Sequence, residues 1–275
     1  MTLHTRIPTS PPFSAADAER HAQEVRDTSA TVLKGAFSAA TIDRWNAAFQ
    51  PLLQAAIANE SDAPNRGAGR FYVTLPFHDL WADPAIIDND AVMAVVERLI
   101  GEDGVMCQLA TDTPIRGSEH QELHRDTQLL FPETGAETPT YQLAVNFPLV
   151  EVTEANGPME YAPGTHLMSR EEGMAKVSSG EIPLKKALLA RGDVMIRDVR
   201  HIHRGTPNPS ETPRPMVVIG YSRRWLSRPE VQIRVPRPVL QGLPARAQRW
   251  LRFNPVFDTV ESSLAQGESY REFAY

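Results

Sequence analysis

Residues 192–221 read Gly192-Asp-Val-Met-Ile-Arg-Asp-Val-Arg-His-Ile-His-Arg-Gly-Thr-Pro-Asn-Pro-Ser-Glu-Thr-Pro-Arg-Pro-Met-Val-Val-Ile-Gly-Tyr221. Two short apolar runs, 193–197 and 215–222, flank a connection rich in Pro, Asn and Ser, the pattern of strands in an antiparallel sheet. His201 and His203 lie between them, and Arg214 stands at the head of the second run, 11 residues after His203. An Arg that projects inward from a strand is costly to bury unless an anion meets its planar fork. A dicarboxylate with one end on a metal ion and the other on Arg214 would supply that anion.

Outward from this stretch the same texture runs from about residue 105 to 235. Apolar segments at 104–110, 121–131, 140–150, 157–162 and 231–235 alternate with turns, which predicts an antiparallel sandwich or barrel. Helical spacing covers 15–25, with Ser14 as N-cap, then 38–59, 90–100 closed by Gly101, and 244–253 and 258–273 in the tail. The β-branched segment 30–35 predicts a strand, 61–69 a loop, and 1–12 a polar, proline-broken lead-in. There are 23 prolines, roughly 8% of the chain against a usual share of about 5%, and Pro favours loops and short strands over long helices. With no repeat and no clear linker, residues 1–275 are expected to form one domain. It would have an N-terminal helical region of about 13–104, a β core of about 105–235 and a helical tail of about 240–275.

The composition narrows the function. Twenty-eight basic residues against 34 acidic ones give a net charge of −6 without any basic block, which argues against nucleic-acid binding. Cys107 is the single cysteine, so an intrachain disulfide and a thiolate zinc site are both excluded. The first residues lack the apolar core of a signal peptide. The longest apolar stretch, 91–100, is too short to span a bilayer and contains Glu97 and Arg98. The expectation is a cytoplasmic monomer or homodimer that acts on a small molecule and has neither a nucleic-acid nor a membrane partner.

In Glu119-His-Gln-Glu-Leu-His-Arg-Asp126, His124 and Asp126 would share one face of a strand and could hold one metal ion. An imidazole and a carboxylate suit Fe(II), and a second His would complete a facial triad. The pair alone is weak, because 8 His and 34 acidic residues in 275 positions produce His-x-Asp/Glu about once by chance. His120-x-Glu122 fits equally well, and spacing does not choose between the two pairs.

Four blocks in order raise the reading: Gln121-x-x-His124-Arg-Asp126; Asn156-Gly-Pro-Met-Glu-Tyr-Ala-Pro-Gly-Thr-His166; Gly192-Asp193 followed ten residues later by His203; and Arg214, preceded by Asn208 and Ser210. With these blocks the chain resembles the phytanoyl-CoA dioxygenase family over roughly residues 30–225. That resemblance implies a mainly β fold with flanking helices (α+β), a double-stranded β-helix of the jelly-roll or cupin-like kind. It also implies an Fe(II)- and 2-oxoglutarate-dependent dioxygenase that uses O2, releases succinate and CO2, and in most cases hydroxylates an unactivated C–H bond of its substrate. By the same resemblance His124, Asp126 and His203 would be the iron ligands, Arg214 would hold the far carboxylate of 2-oxoglutarate, and Gln142 and Gln108 would line its site. Asp126 speaks against halogenation, since related halogenases carry a small residue there. The rival readings are a cupin-type metal-dependent isomerase or lyase without 2-oxoglutarate, and an inactive binding or sensing module on the same fold.

Other polar groups have plainer expectations. His166 is expected to hold its turn by hydrogen bonds, His78 to be a loop residue, and His120 and Glu122 to be polar groups near the site mouth. Arg223 and Arg224 should form a solvated strand end. Cys107, Tyr141, Tyr161, Phe71 and Tyr72 are expected in the core.

Overall fold

The computed structural model describes residues 13–60, 66–127, 130–134, 138–227 and 232–264. The lead-in 1–12, the first part of the 61–69 loop and the end of the tail helix expected at 258–273 lie outside the described residues. The strands of the two main sheets are β1 (Ala30–Leu33), β2 (Arg70–Thr74), β3 (Val105–Pro114), β4 (Gln142–Pro148), β5 (Met159–Tyr161), β6 (Lys185–Lys186), β7 (Val194–Asp198), β8 (His203–Gly205) and β9 (Met216–Ser222). Six of them form an antiparallel sheet in the order β1-β7-β4-β9-β3-β2, and three form a smaller sheet in the order β6-β5-β8. A cavity lined from both sheets lies between them, so the architecture is the expected mainly β sandwich with flanking helices.

Alternation along the pleat divides the large sheet into two chemically different faces. On β4, Leu143, Val145 and Phe147 join the apolar core, whereas Gln142, Ala144 and Asn146 face the cavity. β7 follows the same rule, with Val194 and Ile196 in the core and Met195 and Arg197 in the cavity. The helices α1 (Ala15–Thr28), α2 (Ala39–Glu60) and α4 (Asp90–Ile100), with the short α3 (Pro84–Ile87) between the last two, cover the apolar face. Trp45 of α2 meets Phe147 edge-on at 5.5 Å, and both are fully buried. Each such side chain contributes on the order of 1.5–3 kcal/mol through burial.

Local chemistry sets the helix ends. Ser14 and Asp17 form a reciprocal capping box at 3.1 Å, and Asn89 caps α4 through the Val92 amide. At the end of α1, Ser29 adopts a left-handed φ of 75°, and its carbonyl accepts from the Asp198 amide at 2.8 Å. That bond ties α1 to the end of β7.

Two expected strands are corrected. The 121–131 segment is irregular where it is described, with one isolated bridge between His124 and His203. It bends after Arg125, and the Asp126 amide bonds the Val199 carbonyl instead of continuing a ladder. The 231–235 strand reduces to β10 (Val235–Pro236), paired with β11 (Val256–Phe257). β2, β6 and β11 had no counterpart in the expectations. β1 and β2, at the edges of the large sheet, come from the N-terminal part of the chain. The tail contributes the helices Arg237–Gly242, Ala245–Leu251 and Val260–Leu264. No helix among the described residues is long and apolar enough to cross a membrane.

Candidate metal centre

His124 sits on the irregular segment between β3 and β4, which two sets of bonds fasten to the small sheet and a third to the turn at 165–168. His124 and His203 exchange backbone hydrogen bonds of 3.0 and 2.9 Å. The Gln121 amide bonds the Gly205 carbonyl at 3.0 Å, and the Gln121 side-chain oxygen accepts from the Gly205 amide at 2.9 Å. Arg125, between the two candidate ligands, is buried and donates to the Thr165 and Met168 carbonyls at 2.5 and 2.6 Å. The Asn156–His166 block therefore serves as the anchor for the His124–Asp126 segment. Gly157 in that block has φ 79°, and a Cβ there would lie 2.8 Å from the Pro207 carbonyl oxygen, so only glycine fits the close approach.

These constraints bring His124, Asp126 and His203 together, with one donor atom from each lying within 4.8 Å of the others. Asp126 Oδ1 is 3.4 Å from His203 Nε2 and 3.8 Å from His124 Nε2. Nδ1 of His124 donates to the Glu122 carbonyl at 2.7 Å, and Nδ1 of His203 donates to the His201 carbonyl at 3.0 Å. Each bond fixes the tautomer that leaves an Nε2 lone pair directed at Asp126. Donors bound at about 2.1 Å and at right angles around one ion stand about 3.0 Å apart, so a small contraction of this set accommodates a divalent ion. Two imidazoles and one carboxylate suit Fe(II), and they leave three positions for other ligands.

The electrostatics favour a metal-ready state. Burial, followed by the neighbouring His203 ring, pushes His124 down to about 4, which keeps it neutral at physiological pH. Burial opposes ionisation of Asp126, but the Arg197 guanidinium and His203 hold its carboxyl well below the usual range. His201 is not part of the set. It is fully buried, and burial and Arg197 hold it well below the ordinary histidine value.

Arg214 lines the same cavity, as do Gln142 and Gln108. Arg214 is 2% exposed, its Nε is buried without a partner, and among the described residues its guanidinium makes no hydrogen bond or ion pair. Burial lowers it to about 10, with Asp112 opposing and Arg70 reinforcing, so it stays cationic at neutral pH. A buried, unpaired cation facing a cavity is a cradle for an anion. Ala144 on β4 is a small residue of the cavity wall, and its partner across the ladder is Gly220 on β9, over which the Gln108 side chain lies. A Cβ at Gly220 would lie 2.8 Å from Gln108 Cβ, and Gln108 in turn bonds the Tyr72 hydroxyl. The cavity offers about 100 Å³ to the centres of water-sized molecules and opens to solvent at its mouth.

The remaining residues divide as follows. His166 is fully buried and bonds the Arg26 carbonyl at 3.1 Å, as expected of a turn residue. His78 starts the short 79–82 turn and pairs with Asp79. His120 and Glu122 are exposed, and it is the Glu122 backbone that reaches His124. Arg223 is not a solvated strand end, because it donates to the Thr140 and Leu99 carbonyls, whereas Arg224 is exposed and pairs with Asp103. Cys107, Tyr141 and Phe71 are buried, Tyr161 is half-buried, and Tyr72 faces the cavity. Arg197 and Asn146 are cavity residues for which the sequence held no expectation, and Tyr72, expected in the core, lines the cavity as well. The available signal was a charged side chain, Arg197, inside the apolar run Val194-Met-Ile, two positions from Met195 and hence on the same face.

Comparison with known proteins bears on the family and the fold. A family model described as phytanoyl-CoA dioxygenase matches residues 30–216. The dioxygenase FUM3 of Gibberella moniliformis is 26% identical over 258 residues, covering 87% of this chain and 84% of that protein. Among solved structures, the epimerase SnoN from nogalamycin biosynthesis, determined with Fe3+, α-ketoglutarate and nogalamycin RO, superposes with a TM-score of 0.60 at 19% identity. That match covers 76% of this chain and 85% of SnoN. The carbocyclase SnoK superposes with a TM-score of 0.54 at 18% identity, covering 78% of this chain and 87% of SnoK.

Proposed function

Because the chain belongs to the phytanoyl-CoA dioxygenase family, and is thus an iron- and 2-oxoglutarate-dependent oxygenase, we propose that it hydroxylates an unactivated C–H bond of a small-molecule metabolite or natural-product intermediate. When bound, iron(II) and 2-oxoglutarate supply with O2 the oxidising power for that step, leaving succinate and CO2. His124, Asp126 and His203 hold the iron. Arg214 pairs with the far carboxylate of 2-oxoglutarate, and Gln142 and Gln108 line its sides. The enzyme works in the cytoplasm as a monomer or homodimer.

The observation that carries this reading is Arg214, a buried guanidinium without an acceptor in the same cavity as the His-Asp-His set. A cupin-type isomerase has no need of such a cation. The protein's own groups do the positioning. The two Nδ1 bonds present the imidazoles, and the small Ala144 leaves room beside Gln142 and Asn146 for the co-substrate.

The test is succinate release from 2-oxoglutarate in the presence of a panel of small metabolites, with products read by mass spectrometry under 18O2. Substrate-dependent succinate together with one labelled oxygen in the product is the expected result. Binding of metal with no succinate for any substrate, and no binding of 2-oxoglutarate, contradicts it. A second outcome on the same site is inversion or ring closure, the reactions named for SnoN and SnoK, and an oxidised or isomerised product without the label would select it.

A further inference from the structure

Two buried arginines face the cavity, and they differ in one respect. Arg214 is unengaged, while Arg197 on β7 has all three edges of its guanidinium committed. Its Nε donates to Asn146 Oδ1 at 3.0 Å, Nη2 to Asp126 Oδ2 at 2.8 Å, and Nη1 points at His201 Nε2 at 3.5 Å. His201 is held in turn. Its Nδ1 lies 3.0 Å from Ser29 Oγ, and its ring stacks on Tyr161 at 5.3 Å and 26°. A chain of contacts thus runs from the end of α1 to one oxygen of a proposed iron ligand.

We infer that Arg197 is a positioning residue that reserves Asp126 Oδ2 for itself and limits the carboxylate to one-oxygen binding of the metal. This rests on the iron site proposed above. The two oxygens of Asp126 already have separate tasks: Oδ1 faces both Nε2 atoms, and Oδ2 faces Arg197. A carboxylate with both oxygens free can chelate a divalent ion through the pair. At this site that would occupy one of the three positions that two histidines and a single oxygen leave open. A planar, bidentate-capable cation on Oδ2 prevents the rotation, and the Asn146 and His201 contacts stop Arg197 from following the carboxylate. Arg197 is also unavailable to a second carboxylate, which leaves the co-substrate to Arg214.

Co(II) binding to the metal-free full chain tests this, because Co(II) reports its coordination through visible d–d bands. Arg197→Met is expected to bind one Co(II) with an altered band pattern and to lose about tenfold or more in affinity of the Co(II)-loaded protein for 2-oxoglutarate. Arg197→Lys, which keeps one donor, should recover part of that loss. Asn146→Ala frees only Nε and should show a smaller change of the same kind. Wild-type bands and wild-type 2-oxoglutarate affinity in Arg197→Met overturn the inference. If that variant does not fold, Asn146→Ala decides: shifted bands with weaker 2-oxoglutarate binding support the inference, and an unchanged protein overturns it. Failure of the underlying iron reading looks different, because then the wild-type protein either does not bind Co(II) or binds it equally well as Asp126→Ala.

Discussion

His201 and His203 stand two positions apart with ring centroids 5.1 Å from each other, yet they face different partners. Nε2 of His203 lies 3.4 Å from Asp126 Oδ1, and Nε2 of His201 lies 3.5 Å from Arg197 Nη1. His203→Ala should therefore lower affinity for Co(II) or Fe(II) by about 100-fold, since one of the three proposed ligands is lost. His201→Ala should still bind one ion, and the exposed His120→Ala should leave binding unchanged. Isothermal titration of the three metal-free variants checks this. Metal binding that survives His203→Ala but not His120→Ala would mean that the wrong pair has been chosen.

Arg214 carries a prediction with two signs. A hydrogen bond to a charged group contributes about 1.5–3 kcal/mol, so Arg214→Ala should raise the 2-oxoglutarate requirement at least tenfold while iron binding persists. In the absence of any anion the same guanidinium is a buried, unpaired charge. Arg214→Met should then leave the metal-free protein as stable as wild type or more so, and remove the thermal stabilisation that 2-oxoglutarate gives. Thermal melts with and without 2-oxoglutarate read both effects.

Stability of the metal-free protein should fall in mild acid. His124 is lowered from 6.5 to about 4 by burial, and His201 and His166 are also lowered, burial being the leading cause in each. Above about pH 6.5 both folded and unfolded states are neutral at these rings, so nothing is lost there. As pH drops below 6.5 the unfolded chain takes up protons that the fold refuses, and stability declines. For His124 alone the loss levels off below about pH 4, at about 3 kcal/mol. Asp126, held low chiefly by Arg197 against its burial, acts in the same direction at more acid pH. Denaturant melts at pH 7 and pH 5 should separate, and His201→Gln should narrow the gap.

Gly220→Ala tests the packing beneath Gln108. The added Cβ would lie 2.8 Å from Gln108 Cβ and 2.9 Å from its Oε1, on a side chain that also bonds Tyr72. Overpacking of this kind costs about 1–3 kcal/mol. The melting temperature should drop by several degrees, and 2-oxoglutarate affinity should weaken with it. An unchanged melt and unchanged affinity would show that the position of Gln108 does not support the co-substrate.

Much of this arrangement is legible in the residues alone, for physical reasons. β4, β7 and β9 stand out because one face of each packs on helices and reads as an apolar alternation. α1 and α4 stand out because of their helical spacing, with Ser14 marking the start of the one and Gly101 the end of the other. β2 is hidden because it carries the buried Arg70, paired with Asp112, and Tyr72, which lines the cavity, so the strand lacks a clear apolar pattern. The His124–Asp126 segment reads as a strand because its spacing fits one, although Arg125 and the Val199 carbonyl bend it. The identity of the second histidine, and the role of Arg197, depend on side chains brought together from β4, β7, β8 and the 115–127 segment. No local pattern encodes that meeting.

The most direct test is anaerobic addition of Fe(II) and then 2-oxoglutarate to the metal-free protein, followed by visible spectroscopy. A weak charge-transfer band of a chelated 2-keto acid, reduced in Arg214→Ala at the same 2-oxoglutarate concentration, is the predicted result. Iron bound in full with no such band, in wild type and variant alike, would contradict the assignment of the His124, Asp126, His203 and Arg214 site.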